Sequence, residues 1–235
     1  MSIFAALEVY HDGTPRSAAM NMAIDEALLE SAKVPSLRFY RWDHAALSFG
    51  YFGRYADVAP HESERDLVRR WTGGGIVLHG EDLTYSLIIP AHDSSFANSS
   101  TSIYAMVHES IRCALVASGK RAELATVAGV VETGTAVSDP PETGYNAGHC
   151  FANPVRADVL LNGQKIAGAA QRRSRAGLLQ QGSIQQVALT DDFGDKFAAR
   201  MTETCKRREL GAILINRADQ IAKEKYGTVA WLQRR

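Results

Sequence analysis

Three consecutive glycines, Gly73-Gly74-Gly75, constrain this chain more than any other feature; they lie between the basic pair Arg69-Arg70 and the β-rich run Ile76-Val77-Leu78-His79. Glycine costs backbone entropy inside a helix or strand, so a triplet is a poor choice for either. It suits a loop that a bound chain or phosphate approaches closely, because no Cβ stands in the way. The flanking arginines would neutralise an acid there. A Gly-rich stretch is more often only a turn, so the site reading draws its weight from the rest of the chain.

A length of 235 residues with 46% apolar content is ample for one buried core, and no repeat or charged tail divides it, so one domain over 1–235 is expected. Lys plus Arg equals Asp plus Glu at 26 each, which leaves no overall field to recruit nucleic acid or an anionic membrane. The first residues, Met1 to Glu8, lack a basic n-region and a long apolar core, and no later run approaches the roughly 18 apolar residues of a span. The chain is expected to be cytoplasmic and, with no heptad pattern, monomeric. Cys113, Cys150 and Cys205 are odd in number and widely spaced, and no HExxH occurs, so neither a disulfide framework nor a metal site is expected.

Met20, Ile24, Ala27, Leu28 and Ser31 recur at three- and four-residue spacing and predict an amphipathic helix over 17–33, with Asp25, Glu26 and Glu30 mostly off the stripe. Aromatic runs at 36–42 and 45–51 predict strands, as does the alternation Tyr85, Leu87, Ile89. Ile103, Val107, Ile111 and Leu115 predict a second helix over 102–118, capped by Ser100 or Thr101 and closed by Gly119, which makes Cys113 a structural thiol. Residues 129–148, rich in Gly, Pro, Ser and Thr, are expected to form a loop. Asn162-Gly163 marks a hairpin, and with a turn at Arg175-Ala176-Gly177 it predicts an antiparallel meander. Phe193, Phe197, Met201 and Cys205 form a helical stripe behind Thr190-Asp191-Asp192, which gives Cys205 a place in the core.

Cys150 has no such explanation. It sits where the loop approaches a strand, a setting in which nucleophiles are found although many loop cysteines do nothing. A thiolate needs a lowered pKa, which a cation supplies. His149 is adjacent but points away if the backbone is extended, whereas Lys165 lies across the hairpin and returns on the paired strand. Gly168, Ala169 and Ala170 leave room beside Lys165, unlike the surroundings of an ordinary solvated lysine.

These residues resemble the biotin and lipoate protein ligase superfamily, and within it the octanoyl or lipoyl transferases that act on lipoyl domains of the glycine cleavage H protein type. The resemblance rests on Asn21 to Leu29, Leu37 to Trp42, Leu47 to Phe52, Arg69 to His79, Cys150-Phe151, Asp158, Gly163 to Arg172 and Gln181 to Ile184, which together cover most of 17–185. It implies an α/β (α+β) catalytic domain with a mixed, mostly antiparallel sheet flanked by helices. Cys150 and Lys165 would be catalytic: Cys150 takes the acyl group as a thioester, and Lys165 holds the carbonyl or promotes the thiolate. Arg70, Gly73, Gly74, Gly75 and His79 would line an acyl pocket, with Gly168 and Ala169 offering backbone amides to the oxyanion.

The implied donor is an acyl carrier protein or an acylated H protein, the acceptor an apo lipoyl domain of a dehydrogenase complex or the H protein, and no cofactor is required. Two alternatives stand beside this one. In an ATP-dependent lipoate ligase, Mg-ATP would be needed, Lys165 and the arginine-glycine loop would grip a lipoyl-adenylate, and Cys150 would be incidental. An inactive lipoyl-protein binding module is the third reading. Gln181 stands where many relatives have His before the Gly, and Gly53-Arg54 replaces a Gln-containing turn, which touches ligand contacts rather than the fold.

Overall fold

The computed structural model describes residues 2–126 and 154–234. Eight strands form the main sheet in the order β11-β1-β2-β6-β10-β9-β8-β7. They are β1 (Leu7–His11), β2 (Ser36–Tyr40), β6 (Leu83–Pro90), β7 (Ala122–Leu124), β8 (Val159–Leu161), β9 (Gln164–Arg173), β10 (Gly177–Ile184) and β11 (Cys205–Arg208). Only β1 with β2 and β1 with β11 run parallel; the remaining neighbours are antiparallel. A second sheet of three short strands, β4 (Asp66–Arg69), β3 (Ala46–Phe49) and β5 (Ile76–His79), stands beside it. The mixed, mostly antiparallel architecture matches the sequence expectation.

Both faces of the main sheet are covered, so its central strands are buried on both sides. Strand β2 shows how alternation serves two cores: Leu37 and Phe39 face the helices α2 (Ser100–Ala117) and α3 (Phe193–Met201), while Tyr40 faces α1 (Ala18–Ser31) and α4 (Ala212–Ile221). Tyr85, Leu87 and Ile89 of β6 enter the first core and Ile88 the second. Ile103, Val107, Ile111 and Leu115 bury completely, and Ser99, one residue before the predicted caps, accepts from Ser102 N at 3.1 Å. The meander forms as predicted, with Asn162 and Gly163 both at positive φ in the β8–β9 turn.

Two expectations are corrected. Asp25 is fully buried rather than off the stripe of α1, because Arg38 of β2 meets it at 2.9 Å, while Met20 is only partly buried. Cys205 is exposed on the edge strand β11, since α3 ends at Met201 and the helical spacing stops with it. Cys113 is half-buried in α2, as expected of a structural thiol.

Candidate functional site

Where the two sheets meet, a narrow cavity of about 40 Å³ opens to solvent. Met22, Tyr40, Trp42 and Val77 give it apolar walls, and Lys165, Gly168, Ala169 and Ala170 of β9 run along one side. Arg70, Ser48 and His79 enter from the small sheet. Of the residues singled out in the sequence, Arg70, His79, Lys165, Gly168 and Ala169 thus line one space. Cys150, with His149 and Phe151, lies outside the described residues.

Lys165 is 8% exposed, and its Nζ pairs with Asp158 Oδ2 at 2.8 Å. Gly168 makes this placement possible: a Cβ there would stand 2.6 Å from Lys165 Cε and 2.8 Å from its Nζ. Asp158 also accepts from Tyr104 Oη and from Val155 N. Tyr104 Oη in turn accepts from Ala169 N at 3.2 Å. The Ala169 amide is therefore already engaged and is not an open donor for an oxyanion, contrary to the sequence expectation. Burial first, and then the Asp158 charge, push the Tyr104 phenol well above its usual range, so it stays a donor.

His108, one turn after Tyr104 on α2, donates from Nδ1 to Ala157 O at 2.8 Å, and its Nε2 has no partner. Burial lowers its pKa to about 4 against the opposing pull of Asp158, so the ring is neutral at pH 7. Sequence reading missed Tyr104 and His108. Their signal was an i, i+4 polar pair on an otherwise apolar helix face.

On the opposite wall a hydrogen-bonded chain runs inward from the glycine loop. Arg70 Nη1 donates to Ser48 Oγ at 2.7 Å, and Ser48 Oγ lies 2.6 Å from His79 Nε2. Since Ser48 accepts from Arg70, its own proton goes to Nε2, and His79 Nδ1–H goes to Asp82 Oδ2 at 2.8 Å. Burial holds the His79 pKa below its ordinary value despite Asp82. Burial would raise Asp82, but donation from His79, Ser183 and Gly80 N brings it to about 2. Trp42 stacks on the His79 ring at 4.1 Å.

The glycine triplet is not part of the cavity wall among the described residues, as the sequence had suggested it would be. Arg70 Nη2 binds the carbonyls of Gly73 and Gly75 at 3.0 and 2.9 Å, and Gly74 takes φ +84°. The close approach here is permitted by Gly50, whose Cβ would lie 2.0 Å from Gly74 O, whereas a Cβ on Gly73 would meet nothing. Arg69 likewise serves structure, donating to the carbonyls of Tyr51, Gly53, Trp231, Leu232 and Arg234. Gln181 joins the loop to the helix layer: its Oε1 accepts from Thr72, and its Nε2 donates to Asp25, each at 2.8 Å.

Comparison with known proteins follows the same residues. The model of the lipoyl protein ligase A/B catalytic domain matches residues 17–224. The octanoyltransferase LipM of Oceanobacillus iheyensis is 34% identical over 210 residues, 84% of this chain and 71% of that protein. LipM of Brevibacillus brevis is 36% identical over 179 residues, 72% and 62% respectively. This chain thus spans about two thirds of the length of these curated relatives. Among solved structures, a putative lipoate protein ligase from Thermoplasma acidophilum with bound lipoic acid superposes with a TM-score of 0.69 at 21% identity over 99% of both chains, which shows the shared fold. The chain belongs to the lipoyl protein ligase A/B catalytic domain family, in the branch it shares with the LipM octanoyltransferases.

Proposed function

We propose that this chain, as one cytoplasmic catalytic domain, moves an octanoyl or lipoyl group from a carrier protein to the specific lysine of a lipoyl domain. The observation that carries the reading is the buried Lys165–Asp158 pair set into the wall of an apolar-sided cavity, in a chain with octanoyltransferase relatives. The cavity holds the acyl chain, and Lys165 Nζ meets its carbonyl oxygen or the attacking sulfur. The Cys150 thiolate attacks the donor thioester and the carrier thiol leaves. The acceptor lysine amine then attacks the Cys150 thioester, the amide forms, the amine gives up a proton, and the Cys150 sulfur departs. Donors are an acyl carrier protein or an acylated H protein, and acceptors are apo lipoyl domains or the H protein. Transfer between thioester and amine needs no ATP.

Arg70, with Ser48, His79 and Asp82 behind it, forms the other wall and holds the glycine loop in place. The test is intact mass spectrometry of the protein with octanoyl-carrier and an apo lipoyl domain, without ATP, beside a Cys150→Ala sample. Acylation of the lipoyl domain, with an enzyme adduct missing from the variant, is the expected result. Acylation only with ATP and free octanoate or lipoate, unaffected by Cys150→Ala, would make the chain a ligase instead.

A further inference from the structure

Beyond Ala170 the cavity face of β9 continues into a cluster of cations and aromatic rings. Gly168, Ala170 and Arg172 are alternate residues and share one face, so Arg172 stands about 13 Å along the strand from Gly168 at roughly 3.3 Å per residue. Its guanidinium lies over the rings of Tyr51 and Trp71, 4.8 and 5.1 Å from their centroids. Lys225 sits over Trp71 and Trp231 at 4.5 and 4.4 Å, and Arg234 over Tyr51 and Trp231 at 4.6 and 4.8 Å. The three cations therefore share three rings. Trp71 directly follows Arg70 of the cavity wall, and Tyr51 N–H donates to Thr72 O at 2.8 Å, so the cluster is continuous with both walls.

The charge there is not balanced. Glu26 meets Lys225 Nζ at 2.6 Å, while Arg172 and Arg234 have no carboxylate within ion-pair distance among the described residues. Cations held together on rings without counter-charge favour an arriving anion. Beside them Phe52 is 76% exposed and packs edge-on against Tyr51 at 5.1 Å, which adds an apolar contact at the edge of the charge.

We propose that this face, Arg172, Lys225 and Arg234 on Tyr51, Trp71 and Trp231 with Phe52 beside them, is the docking surface for an acidic carrier protein that presents the acyl donor. The inference rests on the proposed acyl transfer. An acyl chain delivered into the cavity on a carrier's arm brings that carrier to the rim, and the rim on the β9 side is cationic. Phe52 then supplies the apolar contact of a small transient interface, and the cations supply steering and selection against basic partners.

The decisive comparison uses an Arg172→Gln/Arg234→Gln double variant and an Arg172→Lys control. Binding of octanoyl-carrier is followed by tryptophan fluorescence or calorimetry at two salt concentrations. Transfer is measured in parallel with octanoyl-pantetheine, a donor without protein or phosphate, and with a lipoyl domain. The double variant is expected to raise the carrier Kd on the order of 10-fold and flatten its salt dependence, with Arg172→Lys close to wild type. KM for octanoyl-pantetheine and for the lipoyl domain should not move.

An unchanged carrier Kd overturns the proposal, as does a rise in the lipoyl-domain KM in its place or an equal loss with both donors. Carrier binding that depends on these arginines in a protein that transfers nothing would uphold the docking surface and remove the transferase reading. Transfer that proceeds with an indifferent double variant would do the reverse.

Discussion

The buried ion pairs Arg38–Asp25 and Lys165–Asp158 lie on this sheet, and the contrast between them separates a site from a scaffold. Arg38 and Asp25 are both fully buried, and so is Asp158, with the Lys165 side chain 5% exposed. By burial alone they are equivalent. Arg38, however, is enclosed by its acceptors: Asp25 at 2.9 Å, Asp12 at 2.8 Å and Asn21 Oδ1 at 2.7 Å, with the Tyr40 ring beneath it. Asp25 is filled in turn by Tyr40, Ser86 and Gln181. Neither Arg38 nor Asp25 lines the cavity; Lys165 does, with glycine and alanine kept beside it. A buried pair fixes a fold when every acceptor is used within the core, and it becomes available for chemistry when one partner meets a cavity.

Substitution at the two cations tests that division most strongly. Arg38→Met leaves Asp25 and Asp12 without their cation and should cost about 3–5 kcal/mol of stability, read by urea unfolding, while the folded fraction keeps its activity. Lys165→Met should reverse the pattern, with transfer rate down on the order of 10³-fold and a folded protein by circular dichroism. A folded, inactive Arg38→Met would break the comparison, and so would a fully active Lys165→Met.

The lysine side is sharpened by its neighbours. In Gly168→Ala the new methyl meets Lys165 Cε and Nζ inside van der Waals contact, so the amine must shift; displacements of about 1 Å can cost on the order of 10²-fold in rate. The expectation is a fall in kcat of that order with KM for the donor little changed. Tyr104→Phe removes one donor from Asp158 and the acceptor of the Ala169 amide. A hydrogen bond to a buried charge contributes about 1.5–3 kcal/mol, so this variant should lose roughly 10-fold in rate together with a measurable drop in Tm. A Tyr104→Phe protein with a lowered Tm and an unchanged rate would show that the hydroxyl braces the fold and nothing else.

Periodicity and turn chemistry carried most of the fold: the stripe of α2, the alternation of β6 and the Asn162-Gly163 hairpin are local patterns, and each forms where it was expected. The polar interior was less legible. Asp25 looks like a surface acid until Arg38, Ser86 and Gln181 are brought to it from three different strands. In the site, Lys165 and Gly168 could be paired from small-residue spacing, whereas Tyr104 and His108 reach Asp158 and Ala157 only because α2 packs over β8 and β9. The glycine triplet was read as a place that a bound chain or phosphate approaches; what comes close to it among the described residues is the Gly50 backbone, which spacing along the chain does not reveal.

The smallest predicted effect concerns protons, and it again divides the two pairs. Tyr40, which faces the Arg38–Asp25 pair, is pushed up and does not titrate near neutrality. His108 feels both Asp158 and Lys165, and its folded pKa is about 4 against an ordinary 6.5. A depressed folded pKa means that the unfolded chain binds the proton first, so this contribution to stability is complete above about pH 6.5 and declines as pH falls toward 4. Between pH 7 and 5.5 the loss from His108 amounts to about 1 kcal/mol. His79, held neutral by burial on the opposite wall, adds a loss of the same sign. Urea unfolding of wild type and His108→Gln across that range reads it directly. Glutamine keeps a donor for Ala157 O but carries no charge, so the variant's stability should fall less steeply with acid, with the His79 part remaining. Parallel slopes for the two proteins would mean that His108 meets water in the folded state and that the lysine side of the cavity is as open to protons as the surface.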